Sequence, residues 1–452
     1  MRMGAVRGGG AAGVFRQVQG VRGVRRRGET VGVVDFGSRE IRVLIARQDD
    51  GDEMAILGHG AAPGHGCVSQ GVVQDRNAAQ AALRQALTQA ERAARVKVHS
   101  LFCGINGRNV ETFIREGNVK VEHDVVEQEH MLEARDIASR DILAAGKRIT
   151  SSITAQEWYL DDLRVQNPLG IRGQVLKTRM HFAQIPAVIE ENLAACIESL
   201  RLELEDLIFS PLAAALGCLT PEDRELGAAV LDLGRSTTGL AVYRDFRILG
   251  SHCFSWGGYH LTRDIAAGLQ VSFDEADALI LEHGISDRFV RSELGDRPLV
   301  HIPGQSAEEG PTPIKLKTVV PGAPTTVDSG EIDVILYERA HELLVKVRQH
   351  VQSRGLSKSL VRGVVLTGGA SKIRNIVAVA EAVFQTPCRI GKPVGIQVGT
   401  HELLDPEYST AVGIARHAFQ YRAAARDGQI ELRGAGSSVL RRTARFIRRY
   451  FL

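Results

Sequence analysis

The chain is poor in the residues that commit a protein to metal or disulfide chemistry. Its six cysteines, Cys67, Cys103, Cys196, Cys218, Cys253 and Cys388, are scattered and form no C-x-x-C pair. No zinc site or disulfide framework is implied, and the thiols read as buried small hydrophobes in a reducing compartment. No stretch approaches the roughly 18 to 20 apolar residues needed to cross a bilayer. Residues 1–30 are rich in glycine and arginine, with Arg25-Arg26-Arg27 near their end, and lack the apolar run of a secretory signal. They read as a disordered basic extension, for which acidic lipid or nucleic acid is a conceivable contact. A net charge of +3 hides the concentration of arginine at both ends of the 452 residues, while 44% hydrophobic and 24% charged residues suffice for several buried cores and more than one domain.

What is present is a repeated turn. Ala228 to Tyr243 reads AAVLDLGRSTTGLAVY, an apolar run broken by Asp232-Leu233-Gly234 and resumed from Thr237 as a second strand. A turn carrying an acid, a glycine and hydroxyls suits a polyphosphate. Backbone N–H groups can form an anion nest, glycine admits close approach, hydroxyls donate to oxygens, and the aspartate can hold a hydrated cation. One copy reads equally well as an ordinary polar hairpin. The second copy separates the two readings: Val33-Val34-Asp35-Phe36-Gly37-Ser38-Arg39-Glu40, followed by Ile41 to Ala46, has the same strand, acid, glycine, hydroxyl and returning strand. Each copy continues into a third apolar segment ending in Leu-Gly, at Leu57-Gly58 and Leu249-Gly250. Two such hairpins, one per lobe, would clamp a nucleotide between hinged halves.

Between the copies, helical spacing of Ala82, Leu83, Ala86, Leu87 and Ala90 predicts a helix over 77–96 covering the first sheet. Alternation around Val110, Phe113 and Ile114, a charged helical segment over 127–145 and strands near Ile153, Trp158 to Leu160 and Val175 to Phe182 read as an inserted α+β block over 105–183. The strand and helix rhythm resumes at 185–200, and 207–219 carries a strand, Pro211 and a small-residue helix. Ser272 to Glu275 is a capping box for a helix ending at Gly284. A Gly-, Pro- and Thr-rich stretch over 290–329 fits hairpins and loops, and 331–354 is a long amphipathic helix. Gly363 to Ser371 then ends a buried strand in Gly368-Gly369, ahead of a helix expected over 372–384, where flat groups or phosphates could reach the backbone.

In this order, VVDFGS, SPLAAALG, VLDLGRSTTGLAVY, VVLTGGASKI and YSTAVGI resemble the actin and Hsp70 superfamily. Within it the chain resembles the bacterial cell-division FtsA family, marked by Gln156-Glu157-Trp158, Asn167-Pro168 with Gly170 and Gly173, Arg389 to Pro393, and Tyr408 to Gly413. The resemblance implies an α/β, actin-like two-lobed ATPase fold. Its parts would be subdomain 1A over 31–104, 184–219 and 405–421, an inserted 1C subdomain of SHS2 type over 105–183, 2A over 220–253 and 345–404, and 2B over 254–344. It implies ATP contacted by Asp35, Gly37, Ser38, Asp232, Gly234, Ser236, Thr237, Thr238, Gly368 and Gly369, with Mg²⁺ held through water by Asp35 and Asp232. It further implies filaments, capture of the C-terminal peptide of FtsZ on 2B, recruitment of later division proteins through 1C, and a place on the cytoplasmic face of the inner membrane at the septum.

The departures from that pattern bear on catalysis. Glu40 stands where many relatives carry a phosphate-facing lysine, and Gly239 where superfamily relatives often have an acid. Arg235 and Ser236 replace two glycines, so that Arg235 either supplies compensating charge or fills the phosphate site. Ser210 takes the place of a water-orienting glutamate, and Leu279 to Leu281 that of a lysine near the adenosine. Nucleotide binding is expected, with at most slow hydrolysis.

The last residues carry their own chemistry. After a polar linker over 422–438, residues 439–452 read VLRRTARFIRRYFL. As a helix, Leu440, Ala444, Ile447 and Phe451 form a stripe widened by Phe446, Tyr450 and Leu452, flanked by Arg441, Arg442, Arg445, Arg448 and Arg449. Such a helix enters an anionic membrane surface, each arginine worth about 1 kcal/mol there. Docking on its own domain would leave much charge beside a buried seam, and nucleic acid has no use for the aromatic stripe. A sugar or acetate kinase of the same superfamily remains the alternative, although it has no need of such a helix, while a chaperone would need a substrate-binding domain beyond Tyr421.

Overall fold

Val31, Val33, Val34, Ile41, Val43, Leu44 and Ile45 are fully buried although successive side chains in a strand point to opposite faces, so the first sheet is covered on both sides. The computed structural model describes residues 28–49, 54–140, 142, 147–294, 312–319 and 324–427. The basic extension up to residue 27, most of the expected linker and the whole amphipathic segment over 439–452 lie outside the described residues.

The first sheet runs in the order Glu203–Phe209, Ser100–Ile105, Glu29–Phe36, Glu40–Gln48, Met54–Pro63, with the short Ile396–Gln397 on its edge. The second runs Cys388–Ile390, Val364–Thr367, Ala228–Leu233, Thr238–Arg244, Arg247–Phe254. Apart from the edge strand these are one topology used twice. Three antiparallel strands in chain order are followed by two parallel strands added beside the first. The duplication seen in the turn motif therefore extends through the whole sheet of each lobe.

Two helices join the lobes beneath the hairpins. Ser210–Cys218 follows a strand of the first sheet, touches Ala228–Leu233, Thr238–Arg244 and Arg247–Phe254 of the second, and packs along Ser409–Arg426, which itself lies on Glu29–Phe36. Their backbones meet at glycine: a Cβ on Gly217 would collide with the carbonyl of Ser409, and one on Gly413 with the carbonyl of Ala213. Every residue of Ser210–Cys218 is buried, as a short helix sandwiched between two sheets requires.

The inserted block forms its own four-stranded sheet, ordered Glu111–Lys120, Val175–Pro186, Lys147–Leu160, Leu163–Val165, under the helix Gln128–Ser139. Val119, Val121, Val126, Met131, Ala134, Trp158, Leu160 and Leu176 make a small core separate from those of the lobes. On its other side this block bonds to the second lobe. Arg179 donates to the Ile248 carbonyl at 3.3 Å and pairs with the buried Glu157 at 2.6 Å, which Arg247 meets from the second sheet at 3.2 Å. Thr112 donates to the Ser251 carbonyl at 2.8 Å, and His181 pairs with the Ser251 hydroxyl at 2.6 Å.

Three boundaries differ from expectation. The helix after the glycine pair begins at Ile376 and not at 372, because Asn375 adopts φ of 60° and a 3₁₀ turn, Gly369–Lys372, intervenes. The helix expected over 127–145 ends at Ser139. The linker expected from 422 begins inside a helix that continues to Arg426, fixed there by Arg422, which binds Glu205 and approaches Glu29 at 3.5 Å, and by burial of Ala424.

Helix propensity alone makes Gly413→Ala stabilising by about 1 kcal/mol. The clash with the Ala213 carbonyl reverses the sign, and a net loss of about 1 to 3 kcal/mol is expected in denaturant unfolding. An unchanged or raised midpoint would show that the helices can separate freely.

Candidate functional site

Strand pairing brings the two turns together. Phe36 pairs with Ile41 and Leu233 with Thr238, so Gly37–Glu40 and Gly234–Thr237 are the tips of matching hairpins, one from each sheet. The tips touch, with the hydroxyls of Ser38 and Ser236 2.5 Å apart. Ser236 also accepts from the Gln70 amide at 2.9 Å, and Asn106 donates through its side-chain amide to Thr237 Oγ1 at 2.9 Å. The second tip is pinned from behind by the start of the helix Gly258–Leu269, whose Gly258 and Tyr259 amides donate to the carbonyls of Gly234 and Arg235 at 2.9 and 2.7 Å. The Gly234 amide is used inside the turn, on the Thr237 carbonyl at 3.0 Å. What this tip presents to the cleft includes the hydroxyls of Ser236 and Thr237 and the side chain of Arg235.

Beneath the tips stand the two acids. Burial pushes the Asp35 carboxyl above its ordinary value, with Arg42 opposing the shift. Burial and then the charge of Asp35 push Asp232 up to about 6, against a hydrogen bond from Thr410 Oγ1 at 2.9 Å and the field of Arg42. Arg42 is itself buried. Burial opposes its charge, but Glu407 at 3.4 Å, Glu40 at 2.6 Å and Asp35 outweigh that and hold it above its usual range. Glu40, which the sequence places where a phosphate-facing lysine was expected, thus has its charge balanced by Arg42 two residues on. Gly368, at φ of 80°, sits directly over the Asp232 carboxylate, where any Cβ would collide. Ser210 Oγ is buried at the cleft floor with no hydrogen-bond partner among the described residues.

The cleft is lined by Asp35, Gly37, Ser38, Asp232, Gly234, Ser236, Thr237, Gly368 and Gly369, so nine of the ten expected nucleotide contacts converge. Thr238 does not. Its hydroxyl donates to the Trp256 carbonyl at 2.9 Å inside the second lobe, because the residue beside an inward-facing one in an extended chain points to the opposite face. Asp277, Thr262, Asn106, Glu407 and Thr410 also line the site and escaped the sequence reading, since each comes from an element without a turn motif. Of these, only Thr410 lay in a stretch already singled out. Ile280 and Leu281 form an apolar wall beside Ala370 and Ile373. The expected membrane-binding residues, from Leu440 to Phe451, lie outside the described residues.

These residues fit a nucleotide and a hydrated divalent cation. An unpartnered hydroxyl, two close carboxylates with raised pKa and a glycine-only roof are what a cation and phosphates between the tips would satisfy. No cluster of three or more metal-ligating side chains occurs among the described residues.

The same electrostatics give a pH-dependent test. A carboxyl raised from 3.8 to about 6 destabilises the folded state once ionised, so the burden is full above pH 6 and vanishes below about 4, where both states are protonated. Asp232→Asn should therefore stabilise the ligand-free protein at pH 7.5, by at most about 3 kcal/mol. The gain should fade between pH 6 and 4 in denaturant melts, and a gain independent of pH would count against the buried acid pair.

Comparison with known proteins agrees with this geometry. A family model described as cell division protein FtsA matches residues 229–413. The cell division protein FtsA of Neisseria meningitidis is 28% identical, over 93% of this chain and 98% of that one, and that of Pseudomonas aeruginosa is 26% identical over 87% and 90%. Among solved structures, the PilM–PilN type IV pilus biogenesis complex has a TM-score of 0.58 at 16% identity, covering 86% of this chain and 98% of its own. MreB5 of Spiroplasma citri bound to AMPPNP has a TM-score of 0.53 at 15% identity, covering 88% and 98%. The duplicated sheets with their facing acid and glycine turns are thus an actin-like fold, and the chain is similar over most of its length to the bacterial cell division protein FtsA.

Proposed function

We propose that the chain is an ATP-binding, self-assembling division protein that ties FtsZ to the cytoplasmic face of the bacterial inner membrane at the septum. The observation that carries the nucleotide part is the convergence of both hairpin tips on the part-buried Asp35 and Asp232. Ser38, Ser236 and Thr237 would donate to phosphate oxygens, Gly37 and Gly234 would admit close approach, and Gly368 and Gly369 would bear on the adenosine side. Asp35 and Asp232 would hold Mg²⁺ through water, which would supply charge neutralisation for the phosphates. The MreB5 neighbour is described with AMPPNP bound, which supports this choice of ligand.

Hydrolysis should be slow. Ser210 is a neutral hydroxyl and a poor base for activating water, and Gly239 offers no carboxylate in its place. Turnover is expected well below the enzyme median of ~10 s⁻¹.

No helix among the described residues is long and apolar enough to cross a membrane. Attachment is assigned to the amphipathic segment over 439–452, through Leu440, Phe446, Ile447, Tyr450 and Phe451 with Arg441, Arg442, Arg445, Arg448 and Arg449 at the headgroups. A single helix of this size binds reversibly, and filaments would multiply it into firm attachment without any new contact. Subdomain 2B, over 254–344, is the proposed seat of the FtsZ C-terminal peptide, and the inserted 1C block, over 105–183, that of later division proteins.

Co-sedimentation with anionic vesicles tests the whole reading. The full chain should carry purified FtsZ to the vesicles, and a free FtsZ C-terminal peptide should release it. Replacing Phe446, Ile447 and Phe451 with glutamate should leave both proteins in the supernatant, and higher salt should weaken binding by screening the arginines. If the triple variant pellets as well as the parent, the segment is not the anchor.

A further inference from the structure

We propose that Arg235 is the mobile polyphosphate-binding cation of the cleft, stored on Asp277 until a phosphate oxygen takes the carboxylate's place. The proposal rests on the nucleotide reading above and assigns the work to a residue at the tip of the second hairpin.

Three observations lead to it. Arg235 sits in the tip itself, between Gly234 and Ser236, and its carbonyl accepts from the Tyr259 amide at 2.7 Å. Its main chain is therefore held there, leaving the side chain as the part able to move. The guanidinium lies along the cleft wall, 2.6 Å from Asp277 Oδ2 and 5.6 Å from the Tyr259 ring centre. The other Asp277 oxygen, Oδ1, accepts from Thr262 Oγ1 at 2.6 Å, so the carboxylate keeps a partner when Arg235 leaves.

The balance of charge in the cleft favours the exchange. Asp35, Asp232, Glu40, Asp277 and Glu407 line it against Arg39, Arg42 and Arg235. Arg42 is buried and paired with both Glu40 and Glu407, so moving it would break two ion pairs at once. Arg235 is held by one acid, and 13% of its side chain remains exposed. A guanidinium is also the cation whose planar fork matches phosphate oxygens in pairs. Arg39 is the competitor: it stands on the first tip, exposed, and lines the same cleft.

Titration calorimetry on the full chain decides between them, with Mg-ATP, adenosine and inorganic tripolyphosphate as probes and melting curves to verify folding. Arg235→Ala should weaken ATP and tripolyphosphate about tenfold or more and leave adenosine within about twofold, since a charged hydrogen bond to phosphate is lost. Arg235→Lys should recover part of the loss. Asp277→Asn should bind tripolyphosphate as tightly as the parent or more tightly, because the competing carboxylate is gone, whereas a merely structural pair would make both partners' variants equally weak. Equal weakening of all three probes by Arg235→Ala, or the expected pattern appearing with Arg39→Ala instead, overturns the proposal. A parent protein that binds none of the probes overturns the nucleotide reading, and this assignment with it.

Discussion

Everything at the centre of this molecule is arranged around two carboxylates that would repel each other if left alone. Asp35 and Asp232 end equivalent strands of equivalent sheets, and the duplication points them at the same small volume. Their proximity is tolerable because Arg42 supplies a buried positive field, Thr410 donates one hydrogen bond, and the protonated form of Asp232 persists to about pH 6. The helices Ser210–Cys218 and Ser409–Arg426 set how near the two sheets come, and the glycines at their crossing set how near the helices come. The spacing of the acids is thus decided by two residues that have no side chain.

That dependence explains why the hairpins and the glycine pair, and not the rest of the site, were legible in the sequence. A strand, an acid, a glycine, a hydroxyl and a returning strand are local, and their recurrence 197 positions apart, from Asp35 to Asp232, identified both tips and the first three strands of each sheet. Thr410 is 178 positions from the carboxylate it serves, and Asp277 is 42 from Arg235. Neither belongs to a turn motif, and their roles follow from packing that no single window contains. Thr238 shows the opposite failure, in which a local pattern was followed one residue too far and the alternation of side chains turned the hydroxyl to the other face. The late start of the helix Ile376–Phe384 has a backbone cause, since Asn375 takes a left-handed conformation that strand and helix periodicity does not encode.

The chain-specific departures acquire physical meaning together. Glu40 takes the place of a cation but is matched by Arg42, which the same strand delivers two positions later on the same face. Arg235 takes the place of glycine but is matched by Asp277, which takes its charge off the tip. Both charges stand in the cleft, and both are balanced by a partner within ion-pair distance, one pair in each lobe.

The attachment of the inserted sheet to the second lobe has a consequence for how the chain is made. Arg179 finds the Ile248 carbonyl 69 residues further along, and His181 finds Ser251 70 residues on. During synthesis the insertion therefore emerges with its small core complete but with a cation and an imidazole whose second-lobe partners have yet to be translated. Water must solvate that face until the strand Arg247–Phe254 arrives, and the arrival both dries it and fixes the insertion across the two halves. The order of translation thereby leaves the insertion waiting for a strand made later in the chain.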